Sequence, residues 1–323
     1  MVELVYTYDS KSYAARLEGS TPSRGTNMKK PKVVAVVGPT ASGKTDLAVA
    51  LAKEYNGEVI SCDSRQVYRQ LDIGTAKVTE EEMHGVPHHL LDLVNVSETY
   101  TAADFKSDAN SAIADILARS KTPIIAGGTF FYLDQLRGRG VGPEVPTNES
   151  LRETLEELSN EALFTQLQEK DPVRAGSIDP KNKRRLIRAL EIIDTLGTVP
   201  EMSDSESEFD WFIIGIDVPK NELRTRFRKR AQHWLETGIV DETKWLLSQV
   251  SDARFKEFGF EYTVTKECID KIISEEELEQ RFVEKNWQYA KRQLTWLKRD
   301  DDIRWYTAEQ LPTAIKDVGT FLG

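Results

Sequence analysis

Eight residues at positions 38–45, Gly-Pro-Thr-Ala-Ser-Gly-Lys-Thr, constrain the fold of this chain more than any other segment. They fit the pattern G-x-x-x-x-G-K-[ST] and follow Lys32–Val37, a β-branched run that predicts a strand buried on both faces. The spacing of apolar residues over Thr45–Tyr55 then predicts a helix. A glycine-rich loop between a strand and a helix directs successive backbone N–H groups at phosphate oxygens. Lys44 adds a positive charge, and the Thr45 hydroxyl can hold Mg²⁺.

This pattern predicts that the loop, a P-loop, binds a phosphate or diphosphate group. It does not identify the compound, and it does not imply hydrolysis. A chance glycine loop is the alternative, and the flanking strand and helix make it the weaker one. The residues predicted to surround the bound group are Gly38, Pro39, Thr40, Ala41, Ser42, Gly43, Lys44 and Thr45.

Strands and helices alternate after this loop, which predicts a parallel α/β sheet flanked by helices. Further strands are predicted at Glu58–Cys62 and Thr122–Ala126, with an amphipathic helix at Ala102–Ser120 between them. A linker rich in Gly and Pro, Gly138–Pro146, interrupts the alternation. Beyond the linker, helices are predicted at Glu149–Leu167 and Lys183–Leu196, and a strand at Trp211–Val218. Helical segments are predicted from there to the end.

We therefore predict one P-loop NTPase-like α/β domain with an all-helical insertion, rather than two domains in series. Residues 28–142 are the first part of the core, 143–205 the insertion, and 206–323 the second part with C-terminal helices. Residues 1–27 are predicted to be a disordered or non-native extension, because 6–24 is polar and punctuated by Gly, Ser and Pro.

The composition argues against a membrane protein, a disulfide-rich protein and a cysteine-bound zinc site. No apolar run approaches the roughly 18 residues of a membrane span, so no membrane partner is expected. Cys62 and Cys268, the two cysteines, cannot build a disulfide framework or a four-cysteine zinc site, and a reducing cytoplasm is predicted. Structural roles are predicted for His84, His88 and His89, because Gly and Pro between them prevent a regular helix.

The charge distribution gives two opposed indications about nucleic acid. With 53 acidic and 43 basic residues the net charge is −10, which argues weakly against non-specific nucleic-acid binding. The basic residues nevertheless gather in three clusters, Lys181–Arg188, Lys220–Arg230 and Lys285–Arg299, and the third contains three interleaved aromatic residues. Such clusters can neutralise an RNA backbone and stack on bases. A solvated helix face is the alternative for each cluster taken alone.

Two polar segments follow predicted strands, at the edge where open α/β sheets bind ligands. Asp63 comes after the second strand, where its carboxylate could accept a proton, bind Mg²⁺ or merely cap a helix. Gly127-Gly128-Thr129 ends the third strand. Its glycines allow a ligand close to the backbone and its hydroxyl can donate to a leaving phosphate oxygen, but a tight turn explains the same residues.

Taken together, these segments resemble the bacterial-type tRNA dimethylallyltransferases, also called tRNA isopentenyltransferases. The resemblance extends from Met28 to about Tyr306 and rests on short motifs whose order and spacing are specific to that family. The motifs are Gly38–Thr45, Ser61–Tyr68, Leu71–Lys77, Gly85–Leu90, Tyr100–Phe105, Gly127–Thr129, Arg185–Glu191 and Tyr289–Trp296.

The resemblance implies an alkyl transfer. The dimethylallyl group of dimethylallyl diphosphate would move to N6 of the adenosine immediately 3′ of the anticodon, in tRNAs that read codons beginning with U. Asp63 would act as the base near N6, while the P-loop, with Lys44, Thr45 and Mg²⁺, would hold the diphosphate. Thr129 would donate to the departing oxygen, and Arg230 or Arg226 would close over it.

The resemblance also implies how tRNA is bound. The adenine would be flipped out of the anticodon stem-loop, which the helical insertion would grip from one side. The residues implied to contact tRNA are Asp63, Ser64, Arg65, Gln66, Thr129, Arg184, Arg185, Leu186, Ile187 and Arg188. Two positions depart from the family pattern: Arg184 stands where Gln is common, and Gly259-Phe260-Glu261 replaces Gly-Tyr followed by Lys or Arg. A cytoplasmic monomer is expected.

An adenylate isopentenyltransferase, acting on free AMP, ADP or ATP, would share the P-loop and the base and is the main alternative. A P-loop small-molecule kinase and a non-catalytic RNA-binding protein are two others. The helical insertion and the basic clusters favour tRNA over a free nucleotide.

Overall fold

Six parallel strands form one sheet in the unit Pro31–Gly323 of the computed structural model, in the order β3-β2-β4-β1-β5-β6. The structure describes residues 29–140, 142–143, 145–201 and 203–323, so the predicted extension 1–27 lies outside the described residues. The strands are β1 Lys32–Val37, β2 Gly57–Ser61, β3 His88–His89, β4 Thr122–Ala126, β5 Asp210–Ile216 and β6 Ile303–Tyr306.

Helices connect the strands and surround the sheet. They are α1 Lys44–Glu54, α2 Glu80–Met83, α3 Ala102–Ala118, α4 Phe130–Leu136, α5 Glu149–Glu156, α6 Asn160–Lys170, α7 Pro172–Ser177, α8 Lys183–Leu196, α9 Lys220–Thr237, α10 Ile239–Gln249, α11 Asp252–Phe255, α12 Phe260–Ile269, α13 Glu275–Leu297 and α14 Leu311–Leu322. Within the described ranges, none of these helices has the length and apolar character needed to cross a membrane.

Strand β1 lies inside the sheet, between β4 and β5, and both of its faces are covered. Val34 and Val36 pack into one apolar cluster with residues of α1 and α14, whereas Val33, Ala35 and Val37 enter another that includes residues of α3 and α4. All five side chains are buried. A run of apolar residues without alternation suits this position, and the predicted parallel α/β sheet is confirmed.

Two edge strands were not anticipated. His88–His89 pairs with β2, and Ile303–Tyr306 pairs with β5, so the prediction of helix throughout the C-terminal part is wrong at that segment. Each strand is too short for its apolar pattern to be distinctive, and each forms because the neighbouring strand offers hydrogen-bonding groups.

Helices α5 to α8 have an apolar core of their own, which includes Leu163, Leu167, Leu186 and Leu190. The predicted single helix over 149–167 is wrong, because α5 ends at Glu156 and α6 begins at Asn160. Ser159 starts the second helix by accepting a hydrogen bond from the Ala162 amide at 3.2 Å. A serine that caps a helix competes with helix continuation, and the apolar spacing does not reveal which of the two wins.

Candidate active site

Three loops meet at the carboxyl edge of the sheet, because β1, β2 and β4 are parallel and adjacent. The P-loop follows β1, Asp63 follows β2 and Gly127–Thr129 follows β4. Hydrogen bonds join the last two: the Cys62 amide donates to the Ala126 carbonyl at 2.8 Å, and the Thr129 amide donates to the Cys62 carbonyl at 3.1 Å. The segments singled out from the sequence therefore lie together at the edge where such sheets bind ligands.

The P-loop has the conformation that an anion-binding turn requires. Gly43, at the N-cap of α1, has φ +93, a left-handed conformation that a side chain would strain. The Lys44 ammonium folds back over the loop and donates to the Pro39 carbonyl at 2.9 Å. Burial, together with the nearby Arg230 charge, lowers the pKa of Lys44 to about 8, while Asp63 opposes the shift. A bound diphosphate would oppose it further by supplying negative charge.

Two arginines of α9 reach the P-loop. Arg230 donates from Nη1 to Thr40 Oγ1 at 2.6 Å, and Arg226 donates from Nη1 to the Ala41 carbonyl at 2.9 Å. Arg226 also forms an ion pair with Glu222 at 2.5 Å. Burial lowers the pKa of Arg230, whose hydrogen-bond partner Thr40 is neutral. Both predicted closing arginines are thus at the loop, and Arg230 has the less compensated charge.

Gln293 of α13 bridges the P-loop and the turn after β4. Its Oε1 accepts from the Thr40 amide at 2.8 Å, and its Nε2 donates to the Gly128 carbonyl at 3.1 Å. The side chain is 5% exposed. One buried amide therefore sets the distance between the loop that would hold the diphosphate and the turn beside Asp63.

Asp63 faces this turn. Its Oδ1 accepts from the Arg65 amide at 2.9 Å, so the carboxylate caps a turn, and no helix follows it directly. A Cβ placed on Gly128 would lie 3.7 Å from Asp63 Oδ2 and 2.9 Å from Gln293 Nε2. The second carboxylate oxygen therefore points toward the gap between the three loops, where it could accept a proton.

The hydroxyl of Thr129 has partners within the protein. Its Oγ1 accepts from the Ser64 amide at 2.9 Å and donates to Ser64 Oγ at 3.2 Å. The Gln66 side chain is likewise engaged, accepting from Ser61 Oγ at 3.0 Å and donating to the Ala76 carbonyl at 3.0 Å. Thr129 and Gln66, both predicted to contact tRNA, therefore form hydrogen bonds that stabilise the segment after β2. Thr129 would have to redirect its proton to donate to a leaving oxygen.

The predicted metal position can be tested against the residues present. Thr45 is an exposed residue in the first turn of α1, at the end of the P-loop. The described residues contain no group of three His, Cys, Asp or Glu side chains that could form an all-protein metal cage. One hydroxyl together with phosphate oxygens and water is the kind of ligand set that Mg²⁺ accepts, so the residues fit a cation carried largely by the diphosphate.

The second and third basic clusters lie on α9 and α13, which pack against each other. The guanidinium of Arg224, an exposed residue, is 5.0 Å from the centre of the half-buried Trp287 ring, so the two side chains pack against each other. Trp296 is 40% exposed, and its indole N–H donates to Asp134 at 2.8 Å. Of the three aromatic residues in the third cluster, Trp287 and Tyr289 are half-buried and Trp296 is exposed.

The predicted tRNA-contact strip on α8 is only partly at the surface. Arg184 and Arg185 are exposed, and Arg184 forms an ion pair with Glu257. Leu186 and Ile187 are buried in the core of the insertion, so the prediction that they contact tRNA is corrected. Their periodicity along the helix turns them inward. Arg188 reaches inward as well, donating to the Val145 carbonyl at 2.8 Å and to the buried carboxylate of Glu191.

His88 and His89 form strand β3, which pairs with β2. His89 Nε2 lies 2.7 Å from an oxygen of Glu58, a carboxylate that is 1% exposed and also receives hydrogen bonds from Arg119 and Lys121. The pKa of Glu58 falls well below its usual range, chiefly because Arg119 donates to it. Glu58 is the second residue of β2, so this cluster lies at the end of the sheet away from the three loops.

Sequence reasoning missed Gln293 and gave no account of Glu261. Gln293 lies within Tyr289–Trp296, a segment noticed for its basic and aromatic residues, and its polar bridge is invisible without the partner loops. Glu261 forms an ion pair with Arg65 at 2.7 Å. A glutamate predicted on a helix gives no sign in the sequence that it will be buried.

Comparisons with known proteins agree with the resemblance. The family model described as IPP transferase matches residues 66–300. A tRNA dimethylallyltransferase of Oceanobacillus iheyensis is 38% identical over 291 residues, covering 87% of this chain and 92% of that protein. A crystal structure of a tRNA isopentenylpyrophosphate transferase from Bacillus halodurans is 37% identical with a TM-score of 0.67, covering 91% of this chain and 96% of that one. A eukaryotic dimethylallyltransferase described as acting on tRNA superposes with a TM-score of 0.74 at 31% identity, covering 86% and 74%.

Proposed function

This chain belongs to the IPP transferase family, and from that premise we propose that it is a tRNA dimethylallyltransferase. It transfers the dimethylallyl group of dimethylallyl diphosphate to N6 of the adenosine immediately 3′ of the anticodon, in tRNAs that read codons beginning with U. The products are N6-isopentenyladenosine in the tRNA and free diphosphate. The enzyme acts in the cytoplasm as a monomer.

The observation that carries this proposal is that the Asp63 carboxylate lies beside a turn that Gln293 joins to the P-loop, the loop that we expect to bind the diphosphate. Gln293 contacts both segments, and Asp63 Oδ2 points toward the same turn. Alkyl transfer needs the two substrates side by side, with N6 next to a base and the leaving group next to cations. A carboxylate beside a P-loop could also serve a kinase, by accepting the proton of a substrate hydroxyl. The match to the IPP transferase family favours alkyl transfer over phosphate transfer.

Asp63 removes the proton from N6 as the N6–C1 bond forms and the C1–O bond of the donor breaks. The electron pair of that C1–O bond stays on the diphosphate, and Lys44 and Arg230 balance the growing charge. Both side chains are partly buried, which strengthens their interaction with an anion. Mg²⁺ held by Thr45 and phosphate oxygens would supply further charge neutralisation.

The tRNA substrate is favoured over free AMP by the insertion. Its four helices have a separate apolar core and add no strand to the sheet, so they do not serve the P-loop site directly. Arg184 and Arg185 are exposed on that module, where they can meet phosphates of an anticodon stem. The relatives named above are tRNA dimethylallyltransferases.

Competition between acceptors tests the proposal. Labelled dimethylallyl diphosphate is incubated with an anticodon stem-loop that carries three adenosines after the anticodon, and with AMP at equal concentration. The label is expected in the stem-loop, and preferential labelling of AMP would overturn the assignment. Asp63→Asn should lower transfer by about 10²-fold or more. Asp301→Asn, a change at an exposed aspartate in the turn before β6, should transfer at the wild-type rate.

A further inference from the structure

The Arg65 side chain runs from the turn beside Asp63 to the beginning of α12. There its Nη1 lies 2.7 Å from Glu261 Oε2. The two side chains are 25% and 7% exposed, so the carboxylate is buried and the guanidinium largely covered. The Arg65 guanidinium also lies 5.8 Å from the centre of the Tyr289 ring of α13. Arg65 is therefore held between two helices, and its side chain is directed into the protein.

The backbone at the start of α12 makes room for this pair. Gly259 has φ +125, and a Cβ at that position would lie 2.3 Å from Arg65 Nη1 and 2.5 Å from Glu261 Oε2. No side chain can occupy that space while the ion pair is in place. Gly259 thus meets two requirements, a left-handed backbone and a passage for the guanidinium.

The Arg65–Glu261 pair interacts with Asp63 both through charge and through a hydrogen bond. Burial raises the pKa of Glu261, the Arg65 charge opposes that shift, and the charge of Asp63 adds to it. A buried carboxylate is costly without a partner, so loss of Arg65 would leave Glu261 buried and uncompensated. The Arg65 backbone amide in turn donates to Asp63 Oδ1 at 2.9 Å. Any displacement of the Arg65 backbone therefore alters the hydrogen bond that orients the carboxylate of Asp63.

We propose that Glu261 is a positioning residue for the reaction: by holding the Arg65 side chain, it fixes the backbone amide that orients Asp63 toward Gly128. The proposal rests on the proposed function, in which Asp63 is the base. It assigns a role to the acidic residue that departs from the family pattern. Glu261 neutralises the Arg65 charge inside the protein. Arg65 therefore acts by positioning Asp63, and its contribution to phosphate binding is minor.

A double-mutant cycle tests this assignment. The rate of single-turnover dimethylallyl transfer to the stem-loop is measured at saturating substrates for wild type, Glu261→Gln, Arg65→Gln and the double variant. Each single change should slow transfer about 10-fold, because a small displacement of a catalytic group is enough for such a loss. The double variant should be no slower than either single one, since the two residues act through one contact. The KM for dimethylallyl diphosphate should stay within about twofold, because the P-loop is not touched.

A control variant on the same helix separates the proposed effect from a general loss of activity. Glu267→Gln removes an exposed carboxylate of the same helix, which pairs with Arg281 at 3.5 Å, and should transfer at the wild-type rate. Losses that multiply in the double variant would show independent effects on stability and overturn the proposal. If one single variant fails to fold, the double variant is compared with the other single variant, and a further loss of rate in the double variant would overturn the proposal. Absence of transfer in wild type and Glu267→Gln would instead refute the proposed function.

Discussion

Replacement of Gln293 by alanine should separate the P-loop from the turn beside Asp63. The substitution removes two hydrogen bonds, one from the Thr40 amide at 2.8 Å and one to the Gly128 carbonyl at 3.1 Å. Each is expected to contribute about 1 kcal/mol, because water can enter the shortened site and partly replace the amide. The total of about 2 kcal/mol corresponds to a fall of about 30-fold in kcat/KM for dimethylallyl diphosphate.

The assay is steady-state transfer of labelled dimethylallyl to a stem-loop, with the diphosphate donor varied. Gln288→Ala is the matched control, because that residue is an exposed glutamine on the same helix. Circular dichroism should show folded protein for both variants, since the loops after β2 and β4 keep their own hydrogen bonds. Activity of Gln293→Ala within threefold of wild type, or an equal loss in Gln288→Ala, would show that Gln293 does not couple the two loops.

Three further outcomes are expected. Donor affinity measured by calorimetry should weaken about tenfold per pH unit above pH 8, as Lys44 loses the proton that its diphosphate contact needs, and a slope unchanged by Lys44→Gln would contradict this. Arg230→Gln should weaken donor binding more than Arg226→Gln, because Glu222 already compensates Arg226; the reverse order in the same titration would count against it. Glu58→Ala should cost about 2 kcal/mol in urea unfolding at pH 7. Since the folded state lowers the pKa of Glu58 below its usual 4.5, that difference should be present above pH 4.5 and shrink below it, and a constant difference would argue otherwise.

The parallel core could be predicted because its signals are local. Lys32–Val37 is apolar without alternation, and the P-loop that follows fixes a strand-to-helix turn by its glycines. Asp63 and Gly127–Thr129 could be placed at the same edge, because parallel strands end together. Strands β3 and β6 could not, because two or four residues carry too little pattern and are specified by the strand beside them.

Hydrogen bonds and ion pairs between side chains could not be predicted from the sequence. Gln293 and Thr40 are 253 positions apart, and Arg65 and Glu261 are 196 apart, so each partner looks like an ordinary polar residue until the chain is folded. Leu186 and Ile187 show the converse. A motif that reads as a contact strip contains residues that a helix turns into its own core.

Nucleoside mass spectrometry of the reacted stem-loop is the most direct test of dimethylallyl transfer to tRNA. The stem-loop is treated with enzyme, dimethylallyl diphosphate and Mg²⁺, digested, and its adenosines are compared with those of a stem-loop in which the adenosine 3′ of the anticodon is replaced by guanosine. We expect N6-isopentenyladenosine in the first digest, none in the second, and diphosphate in equal amount to the modified nucleoside. Modified adenosine in both digests, or phosphate transfer without prenylation, would contradict it.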